Sequence, residues 1–225
     1  MNSPISRRSQ PATPEGAPVR STYRHGDLRR ALLEAGLELA RDGGPEAVVL
    51  REVTRRAGVV PNAAYRHFAN REALLQSVRG AALSAVAGAM EDELATLRPA
   101  SLSPASMARA SLRAVGIGYL RFAHAQPGLL RTAFSLPIPP EEGSNKGPRS
   151  GLTPFELLGA ALDRMVECGA LPKAQRPDAE YLAWSAVHGL AMLVIDGPLR
   201  HLTIAQMLEM GQRLVDIVER GMAPR

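Results

Sequence analysis

The chain has 225 residues, 45% of them hydrophobic, so it is long enough and apolar enough to bury a substantial core. Its one cysteine, Cys168, excludes an intramolecular disulfide and a cysteine zinc site and favours a reducing compartment, so we expect a cytoplasmic protein. The formal net charge of +5 lies in the first third, because residues 1–80 carry 13 arginines and 8 acidic residues, whereas residues 81–225 carry 14 of each sign.

Residues 1–21 are rich in proline and carry adjacent arginines with no apolar run behind them. They do not resemble a signal peptide, and we expect a disordered tail. No later stretch looks long enough and uncharged enough to span a bilayer, so no membrane partner is expected. Beyond the tail, helical periodicity dominates and no strand is convincing, which predicts an all-α fold.

Two amphipathic helices are predicted after the tail. Residues 27–41 place leucine and alanine side chains on one face, and Gly43 and Gly44 end this helix. Residues 50–57 repeat the period on a shorter helix, whose arginines point outward and which stops at Gly58.

Two further helices follow the turn at Gly58. Pro61 suits a first helical position, where its missing N–H costs nothing, so a third short helix should cover residues 61–68. Asn70 can cap a fourth helix over residues 71–97. Two short helices joined by a turn of about three residues predict a helix-turn-helix, although such hairpins are also common as plain packing elements.

The third helix presents many polar side chains. Its periodicity turns Ala64 and Phe68 inward and leaves five residues facing out: Asn62, Ala63, Tyr65, Arg66 and His67. A packing helix does not need these side chains exposed, whereas on a DNA-reading helix asparagine and arginine bond base edges and tyrosine and histidine donate to phosphates. The basic first third is equally compatible with a solvated surface, but together the two features favour double-stranded DNA as the partner.

The stretch from Tyr23 to Leu75 resembles the DNA-binding domain of the TetR-type transcriptional regulators, most specifically over AGVVPNAAYRHFANREALL. The resemblance implies a helix-turn-helix DNA-binding domain over residues 22–75, in which Arg51 on the second helix reaches a guanine. It also implies base contacts for Pro61, Asn62, Ala63 and Arg66, and phosphate contacts for Tyr65, His67 and Arg71.

Three positions depart from that family. It often has a hydroxyl residue before the second helix and a serine before the third-helix proline, where this chain has Val49 and Val60. Each valine loses a cap that contributes roughly 1 kcal/mol, without removing the fold. Thr54 replaces a small apolar residue that is usually buried.

Just before the first helix, Tyr23–His25 are interpreted either as an arm along the phosphate backbone or as a solvated linker.

Residues 76–225 are predicted to form a helical bundle, which the fourth helix joins to the first domain. Residues 136–153 have little helical pattern and are expected to be a mobile loop. The predicted helices of the bundle cover residues 104–125, 128–135, 154–169, 178–196 and 203–220.

Residues 181–200 resemble the C-terminal part of a subset of these regulators, through Trp184, His188 and Gly189. The family commonly encloses a small-molecule cavity in this domain, although a tryptophan and a histidine four positions apart on an apolar helix are more often core. The residue types that suit a cavity wall are aromatic, polarisable or polar: Tyr119, Phe122, His124, Phe134, Phe155, Met165, Trp184 and His188.

The last two helices carry small or apolar faces, which predict either complete burial in one subunit or a four-helix interface in a homodimer. The family resemblance favours the homodimer, and residues 76–225 are therefore expected to bind ligand and dimerise. A two-fold protein reads a palindromic operator, with recognition helices ~34–36 Å apart.

No catalytic motif is found: HExxH, GxxxxGK[ST], GxSxG and paired-carboxylate or cysteine–histidine clusters are all missing from the sequence. The sequence therefore predicts no enzyme, no cofactor and no metal, and the acidic MEDELATL is expected to be a solvated helix end. We expect a ligand-responsive regulator, most simply a repressor, which a small molecule releases from DNA through the fourth helix. The alternative is a helical adaptor that binds protein rather than DNA and does not need the exposed polar cluster.

Overall fold

A computed structural model describes residues 25–98, 102–135 and 147–222, and these residues form α-helices with no β-strand among them. The all-α prediction is confirmed. The expected disordered tail at residues 1–21, the arm residues Tyr23 and Arg24, and residues 136–146 of the expected loop lie outside the described residues.

The helices differ little from the predicted ones. All but the third begin and end within two residues of the bounds expected from the sequence. In chain order they are α1 (His25–Gly43), α2 (Leu50–Arg56), α3 (Pro61–Ala64), α4 (Arg71–Ala95), α5 (Pro104–Ala125), α6 (Pro127–Ala133), α7 (Pro154–Glu167), α8 (Ala179–Ile195) and α9 (Ile204–Gly221).

Capping side chains explain several of these starts. Asn70 caps α4 as predicted, since its Oδ1 accepts a hydrogen bond from the backbone N–H three residues later at 2.8 Å. Thr153 and Thr203 each form a capping box with the residue three positions on, at the starts of α7 and α9.

The third helix is shorter than predicted. Its regular part ends at Ala64, and the residues that follow form turns up to Phe68. The Ala64 carbonyl accepts from the N–H groups of both His67 and Phe68 at 2.9 Å, which tightens the last turn, and Val60 supplies no side-chain cap at the start. Gly58 makes the preceding turn with φ of 69°, a conformation open to glycine.

α4 is the central helix, in contact with α1, α5, α6 and α7. Its inward side chains, such as Leu74, Val78 and Val86, are fully buried. By length and composition alone α4 is apolar enough to cross a membrane, which corrects the expectation that no stretch has this character. However, 56% of its apolar window is buried inside the protein, and its place in the core accounts for its composition.

The acidic end of α4 is solvated only in part: Asp92 is exposed, as the sequence predicts, but Glu91 is not. Glu91 is buried and accepts hydrogen bonds from the backbone N–H of Arg149 at 3.1 Å and from the N–H of Ser150 at 2.8 Å, as well as from the Ser150 hydroxyl. Burial acts to raise the pKa of Glu91, but these hydrogen bonds outweigh it and the pKa lies below its ordinary value. The carboxylate thereby fixes the segment that leads into α7.

The short helix α6 lies against the end of α1. A Cβ on Gly128 would lie 2.3 Å from the carbonyl oxygen of Ala40 and 2.4 Å from that of Arg41, so only glycine permits this approach. Beside it, Arg41 Nε donates to Gln126 Oε1 at 2.9 Å. These contacts join the N-terminal helices to the bundle.

Candidate functional site

The predicted DNA-contacting residues lie together on α2, on α3 and its following turn, and at the start of α4. Every one of them is exposed or half-buried: Arg51, Pro61, Asn62, Ala63, Tyr65, Arg66, His67 and Arg71. Beneath them Ala64 and Phe68 are buried as predicted, and Val59 packs against the core. The sequence pattern thus separated the supporting side chains from the surface correctly.

An aromatic contact fastens the end of this surface to α1. The guanidinium carbon of Arg29 lies 5.2 Å from the centroid of the Phe68 ring, within the range of a cation–π interaction. The same guanidinium reaches Ser77 of α4 at 3.5 Å. The four-residue α3 is therefore positioned by neighbouring helices rather than by its own length.

The arginines of this region fall into two groups. Arg55 donates to Glu52 at 2.9 Å and Arg56 pairs with two acidic residues of α1. The hydrogen bond from Arg55 is the main cause that lowers the pKa of Glu52. Arg51 and Arg66 are exposed, and within the described part of the chain they form no hydrogen bond or ion pair. The charge of Arg51 also helps to lower the pKa of Glu52, but the guanidinium groups of Arg51 and Arg66 keep their hydrogen-bond donors available to a partner.

Arg71 has an internal role that the sequence did not indicate. Its Nε donates to the Val48 carbonyl and its Nη2 donates to the Pro45 carbonyl, both at 2.8 Å, while Glu46 lies 3.7 Å from Nη2. These bonds hold the first turn of α4 against the 3-10 turn at Pro45–Ala47. Since a guanidinium has five N–H groups, those on Nη1 are still available to a phosphate.

The three departures from the family pattern leave the fold intact. Val49 and Val60 occupy the N-cap positions of α2 and α3 without a side-chain cap bond, and they are 45% and 69% exposed. Thr54 is buried, and its hydroxyl donates to the Arg51 carbonyl at 2.9 Å, so the extra polar group is satisfied.

Five of the eight predicted pocket residues meet in one place, which we call the aromatic cluster: Tyr119, Phe134, Phe155, Trp184 and His188. Their ring centroids lie 5.0 to 6.2 Å apart where the rings are in contact. Tyr119 is buried, and the other four are half-buried. The Tyr181 ring, which the sequence did not single out, packs on Phe155 at 5.0 Å.

The aromatic cluster contains a polar pair without a charge. The Tyr119 hydroxyl lies 2.7 Å from His188 Nδ1. Burial raises the pKa of Tyr119 and lowers the pKa of His188, so the phenol keeps its proton and the imidazole is neutral at pH 7. The hydroxyl can then donate to Nδ1, which leaves an N–H on Nε2 of His188.

The other three pocket candidates differ in their surroundings, and Phe122 and His124 make no ring contact with the aromatic cluster among the described residues. Met165 and Phe122 are buried in the hydrophobic core, and His124 is exposed. His124 follows Tyr119 by five positions on α5, which places it about 140° away around the helix. Within the described ranges, no group of three histidine, cysteine, aspartate or glutamate side chains is arranged to hold a metal ion.

α6 connects the aromatic cluster to the N-terminal helices. Phe134 directly follows the last residue of α6. At the other end of α6, Gly128 packs against the backbone at the end of α1. Along the way the buried Arg79 of α4 donates to the Ala133 carbonyl at 3.1 Å. The sequence predicts this connection for the fourth helix alone. The sequence does contain one signal for the contact between α6 and α1, namely the glycine directly after the proline that starts α6. A glycine at that position permits close backbone contact.

Two family models match the chain. One, described as bacterial regulatory proteins of the tetR family, covers residues 32–78, and the other, the tetracyclin repressor-like C-terminal domain, covers residues 112–218. A relative, the HTH-type transcriptional regulator BetI of Rhizobium meliloti (strain 1021), is 32% identical over 85 residues. That match covers 38% of this chain and 40% of BetI, so the chain spans less than half of this relative.

Solved structures share the fold along the chain. A protein of unknown function from Rhodococcus sp. RHA1 has a TM-score of 0.70 at 24% identity and covers 91% of this chain and 100% of its own. The transcriptional regulator FadR from Bacillus subtilis, in complex with stearoyl-CoA, has a TM-score of 0.62 at 14% identity and covers 85% of this chain and 98% of its own.

The family matches follow the two parts of the structure. The first falls on the helix-turn-helix and the second on the helices that carry the aromatic cluster. Together, the two models show that the chain belongs to the TetR family of bacterial regulatory proteins.

Proposed function

We propose that this chain is a cytoplasmic, ligand-responsive transcriptional repressor, which binds a palindromic DNA operator as a homodimer and is released by a small molecule. The observation that carries the proposal is the contrast between two arginine pairs. Arg55 and Arg56 are neutralised by acidic neighbours, whereas Arg51 and Arg66 stand exposed with no ion pair among the described residues. A surface that binds phosphates and base edges keeps such side chains available.

The side chains around α3 are chemically suited to two different parts of DNA, the base edges in the major groove and the phosphate backbone. Arg66 and Asn62 have donors suited to purine edges, and Arg51 suits a guanine. Tyr65 and His67 suit phosphates, as do the remaining donors of Arg71. On this assignment the backbone contacts set the register of the protein on DNA, and the α3 side chains select the sequence.

An apolar outer face on α8 and α9 supports the homodimer. Leu182 is 64% exposed, Leu193 is 44% exposed and Ile217 is 59% exposed, although all three are large apolar side chains. Gly189 lies between the two leucines, and a Cβ built there meets no atom within 4 Å in the same protomer. A second copy could therefore cross α8 closely at this point and form a four-helix interface.

The variant Gly189→Arg tests that interface. Because the site is open in the protomer, the variant should keep its helical circular dichroism and thermal transition. Sedimentation should change from dimer to monomer at concentrations where the parent chain is dimeric. A variant that is as dimeric as the parent would refute an interface at this face.

The aromatic cluster is the proposed effector site. Its half-buried rings suit an apolar ligand, and the His188–Tyr119 pair offers a hydrogen bond. A ligand that displaces Phe134 would act on α6 and, through Gly128, on the helices beside the DNA surface. Effector and operator would then oppose one another with a coupling of typically ~1–3 kcal/mol.

Selection of bound duplexes from a random pool tests the function as a whole. A palindrome with half-sites ~34–36 Å apart is expected. Affinity should fall with salt at about 0.9 log unit per log unit of salt for each neutralised phosphate. Arg66→Ala is the control, since it should lose preference at one position. Failure to select any duplex would refute DNA reading and favour the helical adaptor.

A further inference from the structure

We propose that Val60 and Ala63 read the methyl groups of thymines in the operator half-site. The inference rests on the proposed function, because it requires α3 to enter the major groove of DNA. It goes beyond that function in assigning one base type to two apolar residues beside the polar cluster.

Val60 has no structural role that explains its side chain. At 69% exposure it is the most exposed large apolar residue in the described part of the chain. It stands at the N-cap of α3 with φ of −73° and ψ of 145°, and its side chain makes no cap hydrogen bond. Neither packing nor capping uses the isopropyl group, so its methyls face solvent in the free protein.

The first turn of α3 aligns Val60 with Ala63. The Ala63 N–H donates to the Val60 carbonyl at 3.0 Å, which closes the turn, and residues three apart lie on the same side of a helix. Tyr65 continues in helical conformation with φ of −64° and ψ of −17°, so Arg66 follows Ala63 after another three positions, with each such step turning about 60° around the helix. The row therefore runs from an exposed isopropyl group through a half-buried methyl to an unpaired guanidinium.

Each end of this row suits a different base edge. The C5-methyl of thymine is the apolar group on the floor of the major groove, and apolar side chains recognise it by contact. A guanidinium bonds the O6 and N7 of guanine. A serine at position 60 could donate a hydrogen bond to a phosphate in DNA of any sequence. Val60 can add to the binding free energy only where it contacts an apolar group of the DNA. The half-site should therefore hold thymine beside the guanine that Arg66 contacts.

Uracil substitution provides the measurement. In the duplex selected from the random pool, each thymine of one half-site is replaced singly by uracil, which removes the methyl and leaves base pairing unchanged. For one or two thymines next to that guanine, we expect Kd to rise about fourfold each, the equivalent of ~0.8 kcal/mol per buried methyl group.

Two variants assign the effect to Val60. For the thymine that faces residue 60, the Kd of Val60→Ala should differ by no more than about twofold between the thymine and the uracil duplex. The reason is that alanine retains a single methyl group to contact the base. The matched control is Val49→Ala, which makes the same change at the exposed N-cap of α2 and should keep the full uracil penalty there. Circular dichroism checks that both variants are folded.

The outcomes separate the inference from the function on which it rests. A pool that yields no bound duplex would overturn both. Bound duplexes that lack thymine beside the guanine, or that bind equally well with uracil, would overturn the inference and leave DNA reading in place. A uracil penalty that persists in Val60→Ala would also overturn the assignment to this residue.

Discussion

The contact between α6 and α1 makes a specific prediction for Gly128→Ala. The added Cβ would lie 2.3 and 2.4 Å from two backbone carbonyl oxygens at the end of α1, whereas ordinary contacts are 3.4–4 Å. Backbone atoms cannot turn aside as a flexible side chain can, so α6 must move away from α1 by about 1 Å.

The magnitude follows from two opposing effects. Overpacking of a well-packed contact costs about 1–3 kcal/mol, and alanine gains up to ~1 kcal/mol over glycine in a helix. We therefore expect Gly128→Ala to lose roughly 1–2 kcal/mol of unfolding free energy. For a chain of this size that corresponds to a fall in Tm of about 2–8 °C. The displacement should also weaken release of DNA by the effector, because it loosens the link to α1.

Thermal and urea unfolding followed by circular dichroism measure the loss. The matched control is Gly159→Ala on α7, where the nearest atom to the new Cβ is Arg176 Nη2 at 3.6 Å, an ordinary contact. That control should keep or slightly raise the Tm. A Gly128→Ala protein as stable as its parent, with an unchanged effector response, would refute the view that α6 is pressed rigidly against α1.

Four further substitutions test the two sites and the frame between them. Arg66→Ala should lose about 1–3 kcal/mol of operator affinity and relax selection at one position, as titrations on duplexes varied at single positions would measure. Arg71→Lys keeps the charge but loses the carbonyl bonds, worth ~1.5–3 kcal/mol each, so urea unfolding should show a loss of stability with a nearly unchanged salt dependence of binding. Glu91→Gln should be less stable by about 2 kcal/mol at neutral pH. Because the pKa of Glu91 is lowered on folding, its contribution is complete above its ordinary value of 4.5 and is lost as the pH falls further, so the difference from the parent should shrink in acid. Trp184→Ala should retain operator binding and lose the effector response in a DNA-release assay, whereas an unfolded variant would make Trp184 a core residue.

Local signals account for what the sequence predicted well. Prolines at first helical positions and the cap residue Asn70 act within one turn, so the helix bounds could be inferred from neighbouring residues. The inward positions of Ala64 and Phe68 follow from helical spacing in the same way. The length of α3 could not be inferred, because its end depends on how two N–H groups share one carbonyl.

Contacts between distant parts of the chain account for what was missed. Glu91 meets Ser150 across 59 positions, and Arg71 meets Pro45 across 26, and no local pattern marks either partner. His124 has a residue type that suits a pocket, but only the packing of α5 shows which of its faces is exposed. Burial and partners of charged residues therefore required the structure.

The position of Trp184 has a practical consequence for identifying the effector. It is the single tryptophan of the chain, and its indole is in ring contact with Phe134, Phe155 and His188. Indole emission responds to the polarity and the stacking of its surroundings, so selective excitation of tryptophan reports on the aromatic cluster alone. Unlabelled protein can thus be screened by intrinsic fluorescence, and a compound that changes the emission maximum has altered the surroundings of this one side chain.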